Sequence, residues 1–374
     1  MELDIDQVFF DLPGALVDEL LTKCDPVSTG LYRGFKEILN NRTKFRKILH
    51  DQGLLHSDSE INNVSMNPTS CGVDGAFAHQ KLISTDITAV AAVAVEGLPP
   101  PIEKKYWPGP KHLSEMEAVP HHDSTGQILR ALMFCMELDL ADSAPHSVVM
   151  LDGSMTTPLL AVNQALGALD SAPEIFIDLL KSRVRGATKI TEKILTSPQV
   201  DQIYVSIPKY TSKKDLAKRI LKLNRFEDRG LLSFVLDEGE YVGPIRNSAS
   251  SIPGYIDSLT EIGFSKRYQT QLRASDILYY RPYEYTPVLR LEVSSSVSRS
   301  TERLSMLLEA IRIQCEAPAI YEPYPLYMAD KMVKHLGSVI PALRNTTTQY
   351  IAEQWDGPIH LAHMAMHGYR TESG

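Results

Sequence analysis

Two short apolar segments that each end in Asp-Gly constrain the fold of this chain more than any other feature. They are CGVDG at 71–75 and SVVMLDG at 147–153, with Asp74 and Asp152 as the last residues before the glycines. Apolar runs of this length are typical of strands that a sheet buries on both faces. A glycine after the aspartate permits a tight turn and a close approach of the backbone to a ligand. Asp-Gly is also a common turn pair, so each motif alone is also explained by a turn that ends a strand.

The order of the predicted elements indicates an α/β fold. Strands are expected at 71–74, 77–83 and 87–95, joined by tight turns into an antiparallel meander, and a polar, Pro-rich loop is expected from Trp107 to Pro120. The elements expected after this loop are a helix at 124–140, a strand at 147–151, helices after Pro158 and at 175–183, a strand at 202–207, a basic helix at 211–226, strands at 231–236 and 288–293, and helices at 301–315 and 326–336. Residues 240–285 give no clear pattern. The predicted sheet is mixed, antiparallel at one edge and parallel beyond it.

Both ends of the chain are predicted to be helical additions to this sheet. We expect a helical N-terminal extension at 1–62, the sheet domain at 63–340 and a C-terminal helical tail at 341–374.

Composition and charge exclude several classes of protein. With 43% hydrophobic and 22% charged residues in 374, the chain is neither disordered nor a collagen-like repeat. Its formal net charge of −8 excludes nucleic-acid binding by net charge alone, so such a role needs a local basic surface or a bound cation. Four scattered cysteines, an acidic N-terminus and no apolar run near the roughly 20 residues that span a bilayer predict a cytoplasmic protein without a membrane segment. No P-loop, GxSxG or HExxH pattern occurs, so an ATPase, a serine hydrolase or a zincin has no support.

Three acidic residues before position 160 are candidate metal ligands. If their strands are neighbours, Asp74 and Asp152 meet at one edge of the sheet, where two carboxylates repel unless a cation lies between them. Glu137 lies in the apolar helical run 131–141, where a charge is costly unless it is paired or metal-bound. An exposed position on an amphipathic helix also explains Glu137.

Asp330 is the fourth candidate, in the second turn of the helix predicted at 326–336, where a surface acid is the alternative. The four acids lie on the first strand of a meander, on the helix after it, at the end of the next strand and on a late helix. That is the arrangement of the ribonuclease H-like nuclease fold, in which four acids hold two divalent ions about 3.5–4 Å apart. Oxygen ligands without Cys or His favour Mg²⁺ or Mn²⁺ over zinc.

Basic residues follow the strand at 202–207. Lys209 lies just beyond it, where a positive group is suited to stabilise the charge of a phosphoryl transition state, or is an ordinary lysine at a strand end. The helix predicted at 211–226 either follows a DNA backbone or is a solvated face. Its candidate DNA-binding residues are Lys213, Lys214, Lys218 and Arg219.

Two groups of histidines offer further sites. His360, His363 and His367 have helical spacing, which fits a metal cluster or, with better support, a helical tail that packs on a partner. His121 and His122 lie in a predicted loop from which they could reach a substrate.

Four stretches of the chain resemble the motifs of the NurA nucleases. They are CGVDGAFAHQKLISTDITAVAAVAVEGL at 71–98, LDGSMTTPLLAVNQAL at 151–166, YVSIPKYTSKKDL at 204–216 and EPYPLYMADKMVKHL at 322–336. The resemblance runs from about Asn67 to Gly337, and the LDGS stretch with its TTPL flank is its most specific part.

The resemblance implies a manganese- or magnesium-dependent DNA nuclease with two ions per active site, which forms a homodimer. It implies a partner, the hexameric HerA translocase, with which such nucleases resect DNA ends or, in bacteria, act against phage. By matching motifs it makes Lys209 a contact of the scissile or a neighbouring phosphate and places Tyr324 beside the site. The metal ligands that it implies are Asp74, Glu137, Asp152 and Asp330.

The chain departs from the family pattern at two positions. Ala76 stands where the family often has serine, and Asp330 stands where archaeal members tend to have histidine. The choice of metal is therefore more open than the fold. Two alternatives to a DNA nuclease remain: an adaptor that docks on the translocase without cleaving, and an RNA-cleaving relative of the same fold.

Overall fold

The computed structural model describes residues 12–61, 68–98, 105–199, 201–209, 211, 214–223, 225–247, 258–259 and 275–368. Its strands are β1 Leu55–Ser57, β2 Ser70–Lys81, β3 Asp86–Glu96, β4 Lys111–Val119, β5 Val148–Asp152, β6 Ile203–Ile207, β7 Glu240–Arg246, β8 Ser275–Tyr280 and β9 Leu289–Ser294. Its helices are α1 Gly14–Asp51, α2 Thr125–Asp142, α3 Thr157–Gly167, α4 Glu174–Thr196, α5 Asp215–Arg219, α6 Asp228–Val235, α7 Ser295–Ser298, α8 Thr301–Gln314, α9 Tyr324–Val333, α10 Leu336–Gln354 and α11 Ile359–Ala365.

These strands form one mixed sheet in the order β1-β7-β8-β9-β6-β5-β2-β3-β4. The pairs β2–β5 and β5–β6 are parallel, and the other pairs are antiparallel. The segment β4-β3-β2-β5-β6 is an antiparallel meander followed by two parallel strands, which is the ribonuclease H-like arrangement. The α/β class and the mixed, helix-flanked sheet predicted from the sequence are therefore confirmed, and four further strands extend the sheet beyond β6.

The central strands are buried on both faces because helices cover both sides of the sheet. In β5, Val149 and Leu151 contribute to one hydrophobic core with helices α2, α3 and α4. Val148 and Met150 point the other way, into a second core with α8. This double burial explains why the strand is an uninterrupted apolar run rather than an alternating one.

Within the extension predicted to be helical, Gly14–Asp51 form one helix of 38 residues. Of α1, only its second half contributes buried residues, Ile38, Phe45 and Leu49, which pack with α6 and with β7 and β8 in a third core. After the helix, β1 pairs with β7 and so adds an edge strand to the sheet. The domain boundaries at 62/63 and 340/341 remain predictions.

The meander differs from its prediction in two ways. The segments 71–74 and 77–83 are not separate strands: β2 runs unbroken, and Asp74 pairs with Val93 of β3 in the middle of the strand. The third strand is β4, in the segment that was predicted to be a loop. Its residues alternate between half-buried and exposed, and this pattern is hidden in the sequence by the many charged residues of an edge strand.

Two predictions between 211 and 236 were wrong. Residues 231–235 belong to helix α6, because Leu231, Leu232 and Val235 have the spacing of one buried helix face. Among the described residues of the basic segment only α5 is helical, and Lys222, with φ of 59°, departs from helical geometry. The segment 240–285 contains the strands β7 and β8.

The C-terminal segment is helical, as predicted, and ends in contact with the meander. After α11 the chain returns to the turn between β2 and β3, where Leu82 and Gly368 form a β-bridge. No helix in the described ranges has both the length and the hydropathy needed to cross a membrane.

Candidate metal centre

Asp74 and Asp152 lie side by side on neighbouring strands. In the parallel pair β2–β5, Val73 is opposite Leu151, so the two aspartates come next on adjacent strands. Strand β5 ends at Asp152, whereas β2 continues for seven more residues with β3. The two carboxylates therefore meet where the sheet loses a strand, at the edge predicted from the Asp-Gly motifs.

Helix α9 brings Asp330 to the same place because β2 has a glycine beneath it. A Cβ added at Gly72 would lie 2.5 Å from the Leu326 nitrogen and 2.6 Å from the Pro325 carbonyl carbon, so the first turn of the helix rests directly on the strand backbone. One oxygen each from Asp74, Asp152 and Asp330 lies within 4.8 Å of the others.

Glu137 approaches the cluster from helix α2 across a second glycine. Its side chain is 4% exposed, and a Cβ added at Gly75 would lie 2.6 Å from its Oε1. Gly75 also donates its backbone N–H to Asp74 Oδ1 at 2.8 Å. The glycine of the first motif therefore makes room for a carboxylate; it does not make a turn, since the strand continues through it.

Lys209 lies at the centre of these acids. It follows β6 by two residues, and its backbone carbonyl accepts a hydrogen bond from Arg229. Its ammonium nitrogen is 3.2 Å from Asp152 Oδ2, 3.1 Å from Asp330 Oδ1 and 4.0 Å from Asp74 Oδ2. It is also 3.2 Å from Oε2 of Glu322, an acid that sequence reasoning did not select.

Glu322 had a weak signal in the sequence. It is the first residue of EPYPL, in one of the four stretches that resemble the NurA motifs, and it precedes helix α9 by two residues. Nothing in its local pattern separates it from a surface acid of a loop.

The crowding of acids shifts their pKa values. Burial and, after it, the nearby Asp152 carboxylate raise the pKa of Asp74 to about 7, against the opposing effect of Lys209. Burial, with Asp74 and Asp152 nearby, also raises the pKa of Glu137 well above its usual range. Burial lowers the pKa of Lys209, but the surrounding carboxylates outweigh that effect and leave it above its usual value.

The acids outnumber the cations of the cluster. The carboxylates of Asp74, Glu137, Asp152, Glu322 and Asp330 face two ammonium groups, those of Lys209 and of Lys334, which pairs with Asp330. Hard carboxylate oxygens at this spacing, with negative charge in excess, fit Mg²⁺ or Mn²⁺. Among the residues that the structure describes, Asp74, Asp152 and Asp330 are the one group of acids, histidines or cysteines close enough to hold an ion.

A cavity of about 400 Å³ opens beside the cluster. Asp74, Glu137, Asp152 and Lys209 are among the residues that line it. Arg290 and Glu292 of β9, which the sequence did not indicate, line it as well.

The other predicted site residues lie as follows. Tyr324 is the first residue of α9; it is half-buried and does not line the cavity. Lys214, Lys218 and Arg219 are exposed around α5, and Lys213 lies outside the described residues.

The histidine groups do not join this centre. The Nδ1 atom of His121 lies 2.7 Å from the buried Asp86, at the start of β3. In the C-terminal segment His360 and His363 are exposed, and the His367 ring contacts the backbone carbonyl of Gly368.

No family model matches the sequence, and a comparison with curated proteins also finds no match. Solved structures do match the fold. The NurA nuclease from Sulfolobus solfataricus superposes with a TM-score of 0.59 at 15% identity, over 93% of this chain and 100% of that one. A structure of NurA with manganese gives 0.54 at 14% identity, over 90% and 100% of the two chains. NurA bound to dAMP and manganese gives 0.50 at 14% identity, over 86% and 97%. The resemblance inferred from the four motifs is therefore confirmed for the architecture: this chain has the fold of the NurA nucleases.

Proposed function

We propose that the protein is a metal-dependent nuclease that hydrolyses phosphodiester bonds of DNA. The observation that carries this proposal is the convergence of Asp74, Asp152 and Asp330, from three distant segments, within 4.8 Å of one another. Isolated surface acids have no reason to be gathered at a cavity where they repel each other. The likeness to NurA structures, two of which contain manganese, supports the same chemistry.

The proposed roles are those that the resemblance to the NurA motifs implies. Asp74, Glu137, Asp152 and Asp330 hold the ions, which when bound supply water activation and stabilisation of the leaving oxygen. Lys209 contacts the scissile or a neighbouring phosphate, since its ammonium lies within 4.0 Å of both strand-borne aspartates. Tyr324 is proposed to approach the site when DNA is bound.

Two ions are proposed because the resemblance implies them. Asp74, Glu137, Asp152 and Asp330 are four carboxylates, the number with which ribonuclease H-like nucleases hold two divalent ions.

Further parts of the proposal concern the partners. We propose a homodimer that receives DNA from a HerA-type hexameric translocase, in end processing or in defence against phage in the cytoplasm. The resemblance of the four motifs implies these partners, and the sequence contains no P-loop with which the chain could drive translocation itself. The proposed DNA-binding surface includes Lys213, Lys214, Lys218 and Arg219.

The experiment is cleavage of labelled linear DNA by the purified protein with Mn²⁺, Mg²⁺ or EDTA, alone and with a HerA-type ATPase and ATP. Metal-dependent products that Asp152→Ala abolishes are expected, with circular dichroism showing an intact fold. Matched single-stranded RNA and DNA substrates separate the DNA nuclease from its RNA-cleaving alternative.

One observation favours the alternative of a non-catalytic adaptor. The ammonium of Lys209 already contacts Asp152, Glu322 and Asp330, so the acids are partly neutralised by the protein itself. Translocase stimulation without DNA products in every metal would establish the adaptor and contradict the nuclease.

A further inference from the structure

The turn that carries Asp152 is tied to strand β9 by a buried glutamate. Glu292 Oε2 accepts hydrogen bonds from Ser154 Oγ at 2.7 Å and from the Met155 backbone nitrogen at 3.0 Å. Glu292 is 1% exposed, and its residue pairs with Ser206 of β6, the strand beside β5. Two donors of the LDGS stretch therefore converge on one oxygen of a side chain from a distant part of the sequence.

The other oxygen of Glu292 is held by an equally buried arginine. Arg290 donates to Glu292 Oε1 from Nη2 at 2.7 Å and from Nε at 3.0 Å, and its third donor reaches the Tyr279 hydroxyl oxygen at 3.2 Å. The Tyr279 hydroxyl donates to Asp228 at 3.0 Å, and Asp228 accepts the backbone N–H groups of Leu216 and Ala217. If the glutamate turned away, the buried guanidinium would therefore lose its carboxylate partner and keep only the Tyr279 hydroxyl.

This network is a poor device for stability alone. A buried ion pair often contributes no more than apolar residues of the same volume, because both charges are desolvated. A pair of this kind does fix geometry, since each oxygen has assigned donors. Both members line the cavity beside Asp152, so the fixed geometry is that of the metal centre.

We propose that Glu292 is a positioning residue of the metal centre, which orients the Asp152 carboxylate by holding the 152–155 turn. The proposal rests on the proposed function. It assigns Glu292 no contact with metal or substrate, and Arg290 acts by holding Glu292. Outer partners of this kind commonly change metal affinity by about 10–100-fold when they are removed.

The test compares Glu292→Gln with Glu240→Gln, a control of the same chemistry. Glu240 of β7 takes a two-pronged contact from Arg46, at 2.6 and 2.7 Å, and a backbone N–H from Asp237 at 2.7 Å. Four strands separate β7 from β2 in the sheet, so the control lies away from the centre. Both substitutions remove one buried or half-buried carboxylate charge from an arginine and a loop.

The primary measurement is the affinity for Mn²⁺ in the absence of DNA, with the free ion quantified by electron paramagnetic resonance. We expect Glu292→Gln to weaken binding by about tenfold or more and Glu240→Gln to leave it within about twofold of wild type. Cleavage by Glu292→Gln is expected to recover at saturating Mn²⁺, because the acids themselves are intact.

A second variant guards against misfolding of the first. Ser154→Ala removes one donor from Glu292 and leaves the arginine pair in place, so it should weaken Mn²⁺ binding by a few fold, and less than additively when combined with Glu292→Gln. Wild-type affinity in both Glu292→Gln and Ser154→Ala, or an equal loss in Glu240→Gln, would overturn the positioning role while the proposed function stands. A wild-type protein that binds no Mn²⁺ would overturn the proposed function and this inference with it.

Discussion

Two buried aspartates, Asp74 and Asp228, have opposite surroundings. Asp228 is fully buried at the start of α6, and its oxygens accept from Leu216, Ala217 and Tyr279 at 2.7–3.0 Å. Asp74 is 7% exposed, accepts from the Gly75 backbone at 2.8 Å and otherwise faces acids and the more distant Lys209. A buried acid with its acceptors filled holds the fold together, whereas one that faces other acids has capacity left for a ligand.

The largest expected effect is on DNA cleavage when Asp74, the acid that faces other acids, is replaced. Asp74→Asn keeps the size of the side chain but removes one ligand charge, so cleavage with Mn²⁺ should fall by roughly 1,000-fold, which corresponds to about 4 kcal/mol of lost transition-state stabilisation. Single-turnover cleavage of labelled DNA measures it, with circular dichroism to check the fold. Cleavage within tenfold of wild type would remove Asp74 from the metal centre.

At Asp228, whose carboxylate oxygens already accept hydrogen bonds, the expected effect is on stability. Asp228→Ala leaves two buried backbone N–H groups and the Tyr279 hydroxyl without their hydrogen-bond acceptor, so the free energy of unfolding should fall by about 3 kcal/mol. Urea denaturation measures the change. At a temperature where the variant is folded, its Mn²⁺ affinity should fall by less than that of Glu292→Gln, since Asp228 is three side chains away from Asp152. A stable Asp228→Ala protein with no Mn²⁺ binding would reverse the contrast between the two acids.

A smaller effect is a pH-dependent stability of the metal-free protein. The folded pKa of Asp74, about 7, lies above its ordinary value of 3.8, so its contribution to stability is present below about pH 4 and is lost as the pH rises to 7. In EDTA, Asp74→Asn should therefore equal wild type in stability at pH 4 and exceed it by an increasing margin as the pH rises to 8. Denaturation at the two pH values measures this. Equal stability at both would show that the carboxylate is not strained by its neighbours.

The smallest expected effect lies outside both acids, on the exposed basic surface. Replacing Lys218 and Arg219 by alanine should lower the slope of log affinity for DNA against log salt by about 0.7–0.9 for each lost phosphate contact, with metal binding unchanged. Fluorescence anisotropy in Ca²⁺ measures the slope, and Lys189→Ala on α4 is a matched control. An unchanged slope would assign α5 to the solvated face.

The elements that could be predicted from the sequence are those whose side chains are buried in a pattern typical of one kind of element. The strand at 147–151 is buried on both faces, so all its residues are apolar. Such a run can be recognised as a strand without knowing what packs against it. Strand β4 was missed because an edge strand needs only one apolar face, and helix α6 was taken for a strand because eight residues are too few to establish a period.

The site was predicted where acids interrupt apolar runs and missed where they do not. Asp74, Glu137 and Asp152 stand out because a charge in an apolar run needs an explanation. Glu292 lies in LRLEVS, whose alternation indicates an exposed polar face, yet both faces of β9 are buried. Glu322 precedes a helix in a loop, and only the packing of α9 on Gly72 brings it to Lys209.

The two outermost strands of the sheet bear on how copies of this protein can meet. Strand β1 has three residues, too few to template another strand securely, and β4 turns Glu115 inward to Arg183 at 2.9 Å. An inward-pointing charge on one edge strand and the short length of the other both disfavour pairing with a strand of a second chain. Two copies of this protein should therefore associate through their helices and not by pairing their edge strands. The nine-stranded sheet then does not extend from one copy into the next, and the acidic cavity stays open.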